Sequence, residues 1–95
     1  MYMLNLKSKI KRKEENLLAS PLADEIVMMN VKTGDYLSLN SVATSIWNLL
    51  EHPVSGEEIC QKLILEYNID EETCLTETTK FLTRLQEEDL IRIDE

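Results

Sequence analysis

The chain has 95 residues and a formal net charge of −8. That length suits one domain with a modest core, and the hydrophobic share of 43% is ordinary for a globular fold. Two glycines and two prolines leave little room for a phosphate-cradling loop. The charge is uneven: residues 1–13 carry Lys7, Lys9, Lys11, Arg12 and Lys13 with no acid, a net of +5, and the remainder carries a net of −13. So acidic a body repels a phosphate backbone, which makes nucleic acid a poor partner for the folded part.

In chain order, Leu6, Ser8, Ile10 and Arg12 alternate with lysines. That period of two predicts a charged edge strand, on which lysines discourage unwanted pairing. The bases suit a solvated arm, and less readily a site for an anion. Glu14 to Asp24 reads as a connection with a short strand at Leu17–Ala19. Glu25–Asn30 is a short apolar strand, residues 31–35 are a turn in which Gly34 is free to take positive φ, and Tyr36–Leu39 is the return strand.

Asn40 is the N-cap expected for a first helix whose apolar face is Val42, Ile46, Leu49 and Leu50, widened by Ala43 and Trp47. Pro53 stops it. Ser55 and Glu58 form a capping box for a second helix using Ile59, Cys60, Leu63, Ile64 and Tyr67, closed by Asn68. Asp70 caps a third helix, where Glu71 and Glu72 suit the positive end and Leu75, Thr78, Leu82 and Leu85 form the stripe. Leu90–Ile93 is a last short strand. The expected fold is α+β and winged helix-turn-helix-like, with an N-terminal three-stranded antiparallel sheet followed by three helices. Its parts are a charged strand and connection over 1–24, a β-hairpin over 25–39, and the three helices and C-terminal end over 40–93.

Nothing in the chain converges on catalysis. His52 is the only histidine and sits beside Pro53 in a loop. Cys60 and Cys74 fall on predicted apolar helix faces, which reads as buried, unreactive thiols. Two isolated cysteines and one histidine lack metal-ligand spacing, so no metal or cofactor is expected. The pairs Glu57/Glu58, Glu71/Glu72 and Glu87/Glu88 are adjacent on helices and point different ways. The N-terminus lacks the apolar segment of a secretory signal, and free thiols suit the reducing cytoplasm. The longest charge-free run, 36–50, is too short and too polar to span a membrane.

A binding role remains. A three-stranded sheet with an exposed edge can accept an extended peptide as an added strand. Leu37 and Leu39 read as core, whereas Tyr36 alternates to the other face. Thr78 and Thr79 suit a groove wall and equally suit plain packing. Two other readings stay open. A winged-helix DNA-binding regulator fits the fold, but the third helix offers only Lys80 and Arg84 against five glutamates. An adaptor that binds a partner protein or a second copy through a free strand edge also fits.

Tyr36-Leu37-Ser38-Leu39-Asn40 followed by Ile46-Trp47-Asn48-Leu49-Leu50 resembles the aromatic-x-x-Leu-Asn … Ile-Trp-x-Leu stretch of PqqD-like proteins. Ser55-x-x-Glu58-Ile59-x-x-x-Leu63-x-x-x-Tyr67 is similar to their second helix. Phe81-Leu82-x-x-Leu85 with Leu90-Ile91 is similar to their third helix and exit. Ala43 and Asp89 stand where the family often has glycine. The resemblance, over roughly residues 25–93, implies a recognition element for ribosomally made, post-translationally modified peptides. Such an element holds the precursor's leader and delivers it to a modifying enzyme. In the family the leader adds to the third strand of the sheet, against the third helix. Carried over, these are Tyr36, Leu37, Ser38 and Leu39, with Leu75, Thr78, Thr79 and Leu82 as helix positions. The chain looks most like the free-standing members of lasso-peptide pathways, which implies a separate leader peptidase and a cyclase as partners and no chemistry of its own.

Overall fold

The computed structural model describes residues 6–22 and 25–94. Residues 1–5, on which the reading of no secretory signal falls, and 23–24, the end of the expected connection, lie outside the described residues. The strands are β1 (Lys9–Arg12), β2 (Leu17–Leu22), β3 (Glu25–Asn30), β4 (Tyr36–Leu39), β5 (Val54–Ser55) and β6 (Ile91–Ile93). The helices are α1 (Ser41–Leu49), α2 (Gly56–Tyr67) and α3 (Glu71–Glu87). No described helix is long and apolar enough to cross a membrane. The α+β order of strands followed by three helices is as the sequence predicts.

The strands form two antiparallel three-stranded sheets, ordered β2-β3-β4 and β5-β1-β6. This differs from the sequence reading in two ways. The strand expected at Leu17–Ala19 runs on through Pro21 and is the third strand of the hairpin sheet. The charged segment is no edge: β1 is the central strand of the second sheet, pairing Ile10 with both Val54 and Ile93. Its two neighbours follow α1 and α3: β6 is the short strand expected at Leu90–Ile93, whereas β5 at Val54–Ser55 is a strand the sequence reading does not include.

This placement also explains the basic N-terminal segment. Ile10 is buried, while Lys9, Arg12 and Lys13 around it reach acids and carbonyls across the fold. Lys9 pairs with Glu58, and Lys13 Nζ lies 2.6 Å from Asp89 Oδ1. Arg12 donates to the Trp47 carbonyl at 3.1 Å and sits 5.1 Å from the Trp47 ring centroid, a cation–π contact. Lys9, with the Ser55 N–H and hydroxyl, holds the Glu58 carboxyl at about 2. Lys13 likewise lowers Asp89, which occupies the left-handed region at φ 58. Lys9, Arg12 and Lys13 thus belong to a strand and its flank, still partly exposed but each with a partner in the fold. They serve as counter-charges and donors for the protein's own acids and carbonyls.

The helix caps match their residues. Asn40 accepts from Ala43 N–H and Asp70 from Thr73 N–H, and both bonds of the Ser55/Glu58 box are made. Asn68 closes α2 at φ 53. Met28, Leu37, Leu39, Ile46, Trp47, Ile59, Leu63, Leu82 and Leu85 share one core with Ile10 and Ile91. α1 packs on β3 and β4, and α3 packs on α1, α2 and β6.

Asn30 fixes α3 relative to the hairpin. It is buried, donates through Nδ2 to the Glu88 carbonyl at 2.8 Å, and accepts from Lys32 N–H at 3.0 Å. Replacing it leaves buried polar partners unsatisfied, which costs about 2 kcal/mol. Asn30→Ala is expected to lose that much in urea denaturation followed by Trp47 fluorescence. A loss below about 0.5 kcal/mol would show that this clamp is dispensable.

A free strand edge beside the third helix

Two backbone bonds set the direction of every amide in the hairpin sheet. Asn30 N–H donates to Asp35 O, and Val31 N–H donates to Asn16 O, each at 2.9 Å. Backbone groups in an antiparallel strand alternate between its two sides. Residues 26, 28 and 30 of β3 therefore face β4, and 27 and 29 face β2. With Met28 opposite Leu37 and Ile26 opposite Leu39, β4 commits Leu37 and Leu39 to β3. The N–H and C=O groups of Tyr36 and Ser38 point outward. Among the described residues, no strand pairs with that side of β4.

The sheet's other free edge is not equivalent. The same alternation directs Leu17, Ala19 and Pro21 of β2 outward. Pro21 has no N–H and interrupts the donor row there. Among the described residues of this sheet, the β4 edge has no such proline, whereas the β2 edge keeps only the outward donors of Leu17 and Ala19.

α3 approaches the hairpin at its turn and, through α1, at the end of β4. Its C-terminal end is tied to the hairpin turn by Asn30, and by Thr33 Oγ1, which reaches Glu88 Oε1 at 3.4 Å. Its middle faces the start of α1 across a cleft of about 420 Å³ at the end of β4. Val42, Ala43 and Ile46 form one wall of the cleft, and Thr73, Glu77, Lys80 and Phe81 the other. The α3 residues stand at i, i+4, i+7 and i+8, one face of the helix.

The expected site residues occupy several surroundings. Tyr36 is 68% exposed on the outer face of the sheet and Ser38 is exposed, whereas Leu37 is only 6% exposed and, like Leu39, turns into the core. On α3, Thr78 is 1% and Leu82 0% exposed, so both are core rather than wall. Thr78 Oγ1 lies 3.9 Å from Cys74 Sγ, which in turn donates to the Cys60 carbonyl at 3.8 Å. Burial raises the Cys60 thiol, in keeping with unreactive cysteines. Leu75 lines a different cleft, of about 700 Å³, with Cys60, Gln61 and Ile64 of α2. Half-buried Thr79 follows Leu75 one turn on. The apolar stripe of α3 is thus what packs on the core, and the face along the trough is the adjoining one. Its signal in the sequence is the aromatic Phe81 flanking that stripe.

The outer face of the sheet is apolar as well. Exposed Leu18 stands opposite Met29, which stands opposite Tyr36, and Val27 lies beside them.

These features define a small α+β domain whose hairpin sheet ends, among the described residues, in an unpaired strand edge. Residues 25–91 match the family described as coenzyme PQQ synthesis protein D, and the chain belongs to that family. It is also similar to a solved structure described as "TbiB1 in Complex with the TbiA(beta) Leader Peptide". That likeness has a TM-score of 0.74 and 30% identity, covering 86% of this chain and 94% of the other. No curated protein matches the chain.

The burial contrast within β4 gives a direct test. Leu37→Ala is expected to destabilise the protein by about 3 kcal/mol, as for a buried leucine. Tyr36→Ala should stay within about 0.5 kcal/mol, as for an exposed site. Equal losses in urea denaturation would contradict the facing of the two residues.

Proposed function

We propose that the chain binds the leader segment of a ribosomally made precursor peptide by strand addition to the outer edge of β4. The observation that carries this is the outward row of backbone groups at Tyr36 and Ser38, lying beside the α1–α3 cleft. Backbone bonds at such an edge give sequence-tolerant affinity, and pockets beside it give selectivity. The likeness to TbiB1, whose structure is of a complex with a leader peptide, supports a leader as the peptide held here. The binding residues in this reading are Tyr36, Leu37, Ser38 and Leu39 through their backbone and register. Thr73, Glu77, Lys80 and Phe81 form the α3 wall, in place of Leu75, Thr78, Thr79 and Leu82.

On this reading the protein does no chemistry. It works in the cytoplasm and hands the leader to a separate peptidase, with a cyclase acting afterwards, in a lasso-peptide pathway. The row of exposed Leu18, half-buried Met29 and exposed Tyr36 supports delivery, because it offers an apolar surface continuous with the loaded edge. A second copy of the chain would compete for the same edge.

The test is fluorescence anisotropy of a labelled leader peptide, taken from a short precursor gene encoded beside this one. The expected result is saturable binding at micromolar Kd or tighter, about −8 kcal/mol or better. Ser38→Pro removes an outward donor and leaves the β3 ladder intact, so it should weaken binding about tenfold or more while Trp47 still reports a folded protein. Unchanged binding by folded Ser38→Pro would refute strand addition at this edge.

A further inference from the structure

We infer that Lys80 makes the trough selective for an acidic side chain at one position of the bound peptide. This rests on the strand-addition reading and deepens it. The cleft is apolar over Val42, Ala43, Ile46, Ile69 and Phe81, and Glu77 and Lys80 are the only charged residues lining it among the described residues. The other cation on this part of α3, Arg84, is held by Glu88 at 3.6 Å. Lys80 has no ion pair or hydrogen bond among the described residues.

The position of this charge matters because of its surroundings. Outside the first 13 residues the chain carries a net of −13, so most of the surface repels an acidic peptide. Lys80 is a local exception, set at the mouth of an apolar cleft. Glu77, three residues earlier on the same wall, repels an acid at the neighbouring position. Together they reward an acid in one register and penalise it in the next, which is how specificity arises from a difference of affinities. An ammonium flanked by apolar walls is less screened than one in open solvent. The pair therefore sits at the upper end of the exposed range, worth about fivefold in affinity.

The experiment is selection of a displayed nonapeptide library on the immobilised full chain, run in parallel on Lys80→Gln, Lys80→Glu and Ser38→Pro. Wild type is expected to enrich aspartate or glutamate at one position next to an apolar anchor. Lys80→Gln should keep the anchor and lose the acid, and Lys80→Glu should enrich lysine or arginine there. Selected peptides resynthesised with the acid neutralised should bind wild type about fivefold more weakly and Lys80→Gln unchanged. Enrichment of an anchor with no acid, or an acid preference that survives in Lys80→Gln, overturns the assignment to Lys80 and leaves strand addition standing. No peptide enriched by folded wild type, or enrichment undiminished by Ser38→Pro, overturns strand addition and this inference with it.

Discussion

A β-strand directs its backbone groups alternately to its two sides, and among the described residues β4 has a partner on one side only. Along Tyr36–Leu39 the inward half of the hydrogen-bonding capacity is spent on β3 and the outward half is left to the solvent. Proteins commonly blunt such edges with proline, charge or a covering element. Pro21 does this on the far side of the same sheet, but β4 has no counterpart. On the proposed reading, this unblocked edge, with the α1–α3 cleft at the end of β4, is where an extended chain would be held.

The rest of the fold holds that geometry in place. Leu37 and Leu39 anchor β4 in the core from one face, which keeps its register while its edge stays open. Asn30 ties the hairpin turn to the last residues of α3, so helix and strand are held at a fixed separation at one end. At the other end the start of α1 and the middle of α3 enclose the apolar cleft. β1 joins the opposite side of the molecule, pairing with strands that follow α1 and α3. Arg12 secures the end of α1 through the Trp47 carbonyl and ring.

Much of this is legible from local chemistry. Asn40, Ser55 and Asp70 mark helix starts because each supplies an oxygen to an otherwise orphaned amide. Gly34 and Asn68 mark left-handed positions, and the Tyr36–Leu39 alternation gives the facing of β4 correctly. What local patterns do not carry is non-local. The pairing of β1 depends on two short strands far along the chain, so Lys9 reads as edge protection when it pairs with Glu58 across the fold. The α3 residues that line the cleft with α1 are not those the sequence reading singles out, for a related reason. Leu75, Thr78 and Leu82 carry the strongest helical periodicity, but periodicity reports the buried face. Thr78 and Leu82 are buried because they meet the core. The face beside β4 is only partly apolar, and Phe81 alone hints at it.

Hydrogen exchange of individual β4 amides, with and without leader peptide, tests the open edge most directly. In the free protein, the amides of Leu37 and Leu39 should exchange slowly and those of Tyr36 and Ser38 quickly. Saturating peptide should slow Tyr36 and Ser38 by about tenfold or more, as new ladder bonds form. Slow exchange at Tyr36 and Ser38 before any peptide is added, or fast exchange there under saturation, would contradict the account.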